Sequence, residues 1–123
     1  MANRRPIPPE TRQVVYNKYG GHCAYCGKKL TYREMQVDHV LSVCNNGENN
    51  DIGNLMPACR MCNFYKSTYT IEQFRARLGK ILGRLNKRVY IYRLACQYGL
   101  VEEHDKEVIF YFERCKNDQR KSD

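Results

Sequence analysis

The chain has 123 residues, 42% of them hydrophobic and 7 of them cysteine, which predicts one small domain whose core needs reinforcement. Lysine and arginine number 21 against 13 acidic residues, and this net charge of +8 favours a polyanionic partner, nucleic acid before membrane. The odd cysteine count and the lack of a long apolar run or secretory signal argue against a disulfide scaffold and a membrane span, so we expect a cytoplasmic protein with a metal site.

The chain is predicted to begin with a basic arm and a short helix. Residues 1–10 form the arm. Its end, Pro8-Pro9-Glu10, is typical of a helix start, because proline suits the first turn and an acidic residue stabilises the helix dipole there. The helix is predicted to continue to Tyr19 and to end at Gly20-Gly21.

The middle of the chain predicts a strand, a loop and a second helix. Residues 34–41 carry the apolar pattern of a strand, whereas residues 44–54 hold five asparagines and two glycines and predict a loop. A short extended piece over residues 55–58 leads into a helix over residues 59–66, on which residues three and four apart share a face.

The last third of the chain predicts two further helices and an edge strand. A capping-box sequence followed by apolar residues at helical spacing predicts a helix over 70–86. A third helix is predicted over 89–98, closed by Gly99. Residues 108–112 are β-branched or aromatic and predict an edge strand.

We expect these elements to form one domain over residues 11–115. Its motif core is expected at residues 20–68, and a basic helical extension is expected at residues 70–98. The tail over residues 116–123 is expected to be frayed, as chain ends commonly are.

Two Cys-x-x-Cys pairs are the strongest chemical signal in the chain. Such paired knuckles fit the tetrahedral four-thiolate site of a structural zinc ion, which would close the long segment between them. Two disulfides or four buried thiols are the alternative. The predicted zinc ligands are Cys23, Cys26, Cys59 and Cys62. The other cysteines have no partner at this spacing and are expected to act as small hydrophobic residues, namely Cys44, Cys96 and Cys115.

Polar residues that suit a second metal ion and an acid–base catalyst lie within and just beyond the segment between the knuckles. Asp38 offers a carboxylate, and Asn54 and Asn63 offer amide oxygens, which are the ligands that a hard divalent ion prefers. His39 offers an imidazole that can take a proton from water near neutral pH. An Asp-His pair taken alone is a weak signal, because a histidine at a strand end is more often hydrogen-bonded than catalytic.

Taken together, these residues resemble the HNH endonuclease family. The match covers roughly residues 12–68, and both the order and the spacing of its pieces fit the family. The combination is specific, whereas no single piece is. The matching pieces are Cys23-Ala24-Tyr25-Cys26-Gly27, Val37-Asp38-His39-Val40, Asn54-Leu55, and Cys59-Arg60-Met61-Cys62-Asn63 followed by Lys66.

The resemblance implies an α+β fold of the ββα-metal type, in which an antiparallel hairpin and a helix grip one catalytic ion. It implies that Asp38 and Asn63 bind that ion, Mg²⁺ or Mn²⁺. It also implies that His39 is the general base and that Asn54 holds the hairpin loop in position. We expect the core to be stapled by the four-cysteine zinc site and to carry flanking helices and a short C-terminal strand.

The chain departs from the family pattern at two places. The third letter of the motif, often histidine, is Asn63 here, which keeps an oxygen ligand and suits Mg²⁺ better than Zn²⁺. The Pro-x-Ser-x-Gly-Gly sequence that usually follows the Asp-His pair is replaced by Leu-Ser-Val-Cys-Asn-Asn-Gly over residues 41–47. This loop is therefore expected to be reshaped.

A basic stretch provides the expected contacts to phosphate. Residues 66–93 contain eight lysines or arginines and a single acidic residue, Glu72. A solvated helix face is the alternative, but a run of cations with one acid favours phosphate contact. The candidate nucleic-acid-binding residues are Lys66, Arg75, Arg77, Lys80, Arg84, Lys87 and Arg88.

We therefore interpret the chain as a small HNH endonuclease that hydrolyses phosphodiester bonds in double-stranded DNA. The resemblance implies products with 5′-phosphate and 3′-hydroxyl ends and a bacterial or bacteriophage source. One alternative is a zinc-stapled nucleic-acid-binding module without catalysis. Another is a nuclease fold that acts as an inhibitor and binds a protein partner through residues 94–123.

Overall fold

The computed structural model describes residues 7–41 and 50–122, with residues 117–122 described by their backbone alone. Residues 1–6 of the predicted basic arm, most of the loop over 41–47, and Cys44 lie outside the described residues. The elements in chain order are helix α1 (Pro9–Asn17), strand β1 (Gln36–His39), a 3₁₀ turn (Ile52–Asn54), strand β2 (Leu55–Ala58), and helices α2 (Arg60–Lys66), α3 (Ile71–Gly79), α4 (Ile81–Arg88), α5 (Tyr90–Gln97) and α6 (Tyr111–Ser122).

The chain divides into two compact units, where the sequence predicted a single domain over residues 11–115. The first unit comprises Met1–Ile71 and Ile109–Asp123, and the second comprises Glu72–Val108. The second unit therefore corresponds closely to the predicted basic helical extension. None of the helices that the structure describes is long and apolar enough to cross a bilayer.

A two-stranded sheet and one helix form the centre of the first unit, which confirms the predicted α+β class. Strands β1 and β2 pair antiparallel, with Asp38 opposite Met56 and His39 opposite Leu55. All of β2 is buried, and helix α2 begins directly after it, with Cys59 as the N-cap. The short connection between β2 and α2 forces the helix back onto the sheet.

Helix α1 fastens the segments that lead into the two strands. The guanidinium of Arg12 donates to the carbonyls of Tyr32 and Met35 at 2.6 and 2.7 Å, just before β1. The ammonium of Lys18 donates to the carbonyl of Leu55 at 2.9 Å, at the start of β2. One helix therefore holds both strands of the hairpin at their entry points.

The predicted edge strand over residues 108–112 is wrong, because helix α6 begins at Tyr111. Glu113 reaches back three residues and accepts from the backbone amide of Phe110 at 2.8 Å, as the acid of a capping box does. Phe110 is buried against the ring of Tyr25, with ring centroids 5.4 Å apart. The run is thus aromatic because it enters the core, and the tail expected to be frayed continues as helix to Ser122.

The second unit contains three short helices where two were predicted. The predicted helix over 70–86 ends at Gly79 and restarts at Ile81, consistent with the low helix propensity of glycine. The carboxylate of Glu103 accepts from Asn86 at 2.5 Å and from Tyr92 at 2.7 Å, which links α4, α5 and the segment after them.

Candidate active site

Four cysteine sulfurs converge at the junction of the two knuckles. Their Sγ atoms all lie within 4.8 Å of one another, and the sulfurs of Cys26 and Cys59 are 3.8 Å apart. A tetrahedral ion with metal–sulfur distances of about 2.3 Å requires sulfur–sulfur distances of roughly 3.8 Å. The cluster can therefore hold a metal ion, and it consists of the four predicted ligands: Cys23, Cys26, Cys59 and Cys62.

The backbone around the knuckles is shaped to donate to sulfur. Gly27 closes the first knuckle with φ at +82°, and a side chain there would come within 2.9 Å of the Tyr111 ring. This left-handed turn suits glycine. Backbone amides donate to three sulfurs: Tyr25 N to Cys23 Sγ at 3.4 Å, Lys28 N to Cys26 Sγ at 3.5 Å, and Cys62 N to Cys59 Sγ at 3.4 Å.

The thiols of the cluster differ in the direction in which their pKa values are shifted. The pKa of Cys23 is lowered to about 4, mainly because the thiol of Cys62 donates to it, and backbone donors add to this effect. The pKa of Cys62 is raised because that thiol is the donor and because it is buried. Burial likewise raises the pKa of Cys26. Binding of a soft divalent ion as thiolates would therefore release protons from the cluster.

Asp38 on β1 is a buried carboxylate with two partners from outside its strand. The Tyr25 hydroxyl donates to Oδ2 at 2.5 Å. The Lys66 ammonium lies 3.1 Å from Oδ2 and 3.4 Å from Oδ1. Burial raises the pKa of Asp38 above its usual range, and the bond from Tyr25 and the charge of Lys66 oppose that shift. The carboxylate is thus held in a position where a cation is favourable.

His39 follows directly, and its imidazole contacts a side chain of the loop before β2. Its Nε2 lies 2.8 Å from the Oδ1 atom of Asn50, and the residue is 8% exposed. An amide oxygen only accepts hydrogen bonds, so the neutral tautomer that makes this bond carries its proton on Nε2 and its lone pair on Nδ1. Nδ1 is therefore the atom that can accept a proton from water.

Asn54 fastens the end of β1 to the 3₁₀ turn. Its Oδ1 accepts from the backbone amide of Leu41 at 2.8 Å, and its Nδ2 donates to the Leu41 carbonyl at 3.3 Å. Its own carbonyl accepts from the amide of Val40 at 2.8 Å. One side chain therefore fixes the backbone immediately after His39.

Asn63 reaches the same strand from helix α2. Its Nδ2 donates to Oε1 of Gln36 at 2.7 Å. Gln36 and Asp38 are two residues apart on β1 and share a face, and Asn63 and Lys66 are one turn apart on α2. The helix thus turns an amide and an ammonium toward one face of the strand. A carboxylate and an amide oxygen are the ligand types that a hard divalent ion prefers.

Two of the predicted phosphate-binding residues are placed differently from the expectation. Lys66 has no exposed surface and contacts Asp38 and the His39 carbonyl, so it is not available to a phosphate as it stands. Arg75 pairs with Glu72 and donates to the Val108 carbonyl at 2.7 Å. Sequence spacing could not predict either arrangement, because the fold brings Asp38 and Val108 to these side chains from distant parts of the chain.

Three site residues were missed by the sequence analysis, namely Tyr25, Gln36 and Asn50. Tyr25 was noted only as part of the first knuckle, and Gln36 carried no motif. The alternation of a strand could have shown that Gln36 shares the face of Asp38. Nothing in the sequence singled out Asn50 among the asparagines of its loop.

Four of the other predicted phosphate-binding cations line one concavity of the second unit. A concavity of about 440 Å³ along α4 is flanked by two exposed glycines, Gly79 and Gly83, and by cations. Residues four apart share a helix face, so the cations form a row beside the glycines. The cations that line it are Lys80, Arg84, Lys87 and Arg88; we call this concavity the basic groove.

Comparison with known proteins finds similarity over the segment that contains this site. Residues 23–68 match the family model described as HNH endonuclease. The CRISPR-associated endonuclease Cas9 of Actinomyces naeslundii is 42% identical over 60 residues, which is 49% of this chain and 5% of that protein. The Cas9 of Corynebacterium diphtheriae is 37% identical over 41 residues, 33% of this chain and 4% of that protein.

A solved structure supports the same relation. The crystal structure of the Type II-C Cas9 enzyme from Actinomyces naeslundii superposes with a TM-score of 0.53 at 27% identity. The superposition covers 63% of this chain and 9% of that one. This chain therefore spans less than a tenth of the relatives it matches. The segment that matches the family model contains the thiol cluster, Asp38, His39, Asn54 and Asn63.

We expect Tyr25→Phe to lower the free energy of unfolding by about 1.5–3 kcal/mol at neutral pH, the range for a hydrogen bond to a charged group. The Tyr25 hydroxyl lowers the pKa of Asp38, so its loss raises that pKa further. The deficit should therefore be largest where Asp38 is ionised in both proteins. It should shrink as pH falls through the raised pKa of Asp38.

Urea denaturation of both proteins over a series of pH values measures this difference. The exposed Tyr98 provides a matched control, because Tyr98→Phe removes a hydroxyl that lies far from Asp38 in sequence and at the surface. An equal deficit at every pH would show that the Tyr25 hydroxyl does not stabilise the ionised form of Asp38.

Proposed function

We propose that this chain, in which residues 23–68 form an HNH endonuclease domain, hydrolyses phosphodiester bonds in double-stranded DNA. The observation that carries the proposal is the meeting of α2 with β1 inside that segment. There Asn63 and Lys66 reach the face of the strand that carries Gln36 and Asp38, and His39 follows Asp38 directly. The net charge of +8 favours a polyanionic substrate.

His39 is the general base of the proposed reaction. Its Nδ1 takes a proton from a water molecule, and the water oxygen attacks the phosphorus. The bond from phosphorus to the 3′ oxygen breaks, and that oxygen leaves with a proton from solvent. The products are a 5′-phosphate and a 3′-hydroxyl. Asn50 and Asn54 hold the imidazole and the backbone beside it in place for this transfer.

Asp38 and Asn63 are the proposed ligands of the catalytic ion. Their carboxylate and amide oxygens suit Mg²⁺ or Mn²⁺, which keeps water and phosphate oxygens in its remaining positions. When bound there, such an ion supplies positive charge to the phosphate in the transition state. Tyr25 orients the Asp38 carboxylate, and Gln36 orients the Asn63 amide.

A structural zinc ion is proposed at the four cysteines, because four thiolates leave no open position for water.

The basic groove and Arg77 are proposed to contact the phosphate backbone, since α4 exposes several cations along one face. A non-catalytic nucleic-acid-binding module remains the competing function, and it would bind DNA without cleaving it.

We expect the purified protein to nick or linearise supercoiled plasmid in Mg²⁺, and His39→Ala to reduce the rate by about 10²–10⁴ while DNA binding persists. His104 is an exposed histidine of the second unit, so His104→Ala is the matched control and should cleave like the wild type. Agarose gel electrophoresis of the plasmid over time measures the rates.

The metal ligands provide a second arm of this experiment. Asp38→Ala and Asn63→Ala should also lose cleavage, and raising Mn²⁺ should restore part of it, because these variants bind the ion more weakly. Rescue of His39→Ala by extra metal, without rescue of the other two, would contradict the assigned roles. Plasmid binding without cleavage by the wild type in Mg²⁺ and in Mn²⁺ would favour the non-catalytic module.

We expect about one zinc ion per chain in purified protein, since four thiolates share a single ion. Cys59→Ser should unfold the first unit, because it removes a ligand of the site that closes the segment between the knuckles. Cys96→Ser, in the second unit, is the control and should keep both zinc and fold. Elemental analysis and circular dichroism measure the two properties, and folded protein free of zinc would contradict the assignment.

We expect Arg84→Ala with Lys87→Ala to weaken binding to all DNA sequences alike. The slope of log K against log salt should become shallower by about 0.9 for each phosphate that the variant no longer neutralises. Lys106→Ala, which removes an exposed cation from an acidic stretch, is the control. Fluorescence anisotropy of labelled duplex at several salt concentrations measures the slope. An unchanged slope in the double variant would indicate that the basic groove is a solvated surface.

A further inference from the structure

The Asp38 carboxylate already carries a cation that belongs to the protein. The Lys66 ammonium lies 3.1 and 3.4 Å from its two oxygens and donates to the carbonyl of His39 at 3.1 Å. Lys66 has no exposed surface at all, and Asp38 is 4% exposed. A charged lysine so completely removed from water is rare and needs a charged partner.

The same helix provides this cation and the second proposed metal ligand. Lys66 lies one turn after Asn63 on α2, and both side chains reach β1, at Asp38 and at Gln36. Helix α2 is fixed at its start by Cys59 and Cys62. The position of the ammonium is therefore set by a helix that is itself fixed in place.

Two cations near one carboxylate repel each other, and at short range in a buried site that repulsion is large. A divalent ion that binds Asp38 must therefore either displace the Lys66 ammonium or share the carboxylate with it. In both cases the ion binds more weakly than it would without Lys66.

We propose that Lys66 is a built-in counter-ion of Asp38 that competes with a divalent ion for this carboxylate and keeps divalent-ion binding weak and reversible. The inference rests on the proposed function in that Asp38 and Asn63 are taken as the metal ligands. Lys66 is then a competitor that sets the affinity of the ion, and the buried carboxylate has a cationic partner whether or not the ion is bound. Because Lys66 already pairs with the buried carboxylate, the fold of the site does not depend on the ion.

The test measures Mn²⁺ binding in the absence of DNA, by calorimetry and by the thermal unfolding midpoint. Lys66→Met keeps the buried stem and removes the charge. It should bind Mn²⁺ at least about tenfold more tightly than the wild type, because the competing cation is gone. It should also unfold at a lower temperature without the ion and recover with Mn²⁺ in excess, whereas the wild-type midpoint should respond less to Mn²⁺.

Two matched variants sharpen the comparison. Lys66→Arg keeps the charge and should bind Mn²⁺ within a few-fold of the wild type. Lys29 is exposed in the first unit, so Lys29→Met controls for the loss of a positive charge from the protein as a whole. Equal Mn²⁺ affinity in Lys66→Met and the wild type would overturn the proposal.

A measurement on the wild type covers the case in which Lys66→Met does not fold even with Mn²⁺. The ¹⁵N resonance of the Lys66 ammonium should shift as Mg²⁺ is added, together with the backbone amide of Asp38. A shift at Asp38 without one at Lys66 would overturn the proposal.

The proposed metal ligands can fail separately from this inference. If Asp38→Asn leaves Mn²⁺ binding unchanged, the ligand assignment is wrong and the inference falls with it. If Asp38→Asn abolishes Mn²⁺ binding and Lys66→Met does not strengthen it, the ligand assignment stands and only the inference about Lys66 is overturned.

Discussion

The convergence of four cysteine sulfurs within 4.8 Å is the constraint on which the first unit depends. It brings the two ends of the segment between Cys26 and Cys59 together, and closing a long chain segment removes much of its conformational freedom. Both strands of the hairpin lie inside that segment, and α2 starts on its last cysteine. The hairpin is only four residues long on each side, so a sheet this small needs such a closure to persist.

The closed segment places a buried carboxylate where a cation is needed. Asp38 is held by the hydroxyl of Tyr25, which belongs to the first knuckle, and by the ammonium of Lys66, which lies on the helix that begins at the second. One partner of this carboxylate therefore lies in the first knuckle, and the other lies on the helix that starts at the second knuckle. Structural closure and the chemistry of the site are coupled through these two contacts.

Much of this arrangement could be predicted from the sequence because its signals are local. The knuckle spacing, the proline-led start of α1 and the order of the motif residues all act over a few residues. The strand predicted at 108–112 was wrong because an aromatic run looks the same in a strand and at a buried helix start. Pairs such as Lys66 with Asp38 join residues far apart in sequence, and no spacing rule predicts a cation buried so completely.

Amide hydrogen exchange of the hairpin, with and without zinc bound at the proposed cysteine site, tests this dependence most directly. Mass spectrometry of peptides that cover residues 36–39 and 55–58 reports the protection of the two strands, and peptides over α4 and α5 serve as the internal reference. Removal of the metal by a chelator is predicted to abolish protection in the hairpin and to leave the exchange of α4 and α5 unchanged. A hairpin that stays equally protected in metal-free protein would contradict the account.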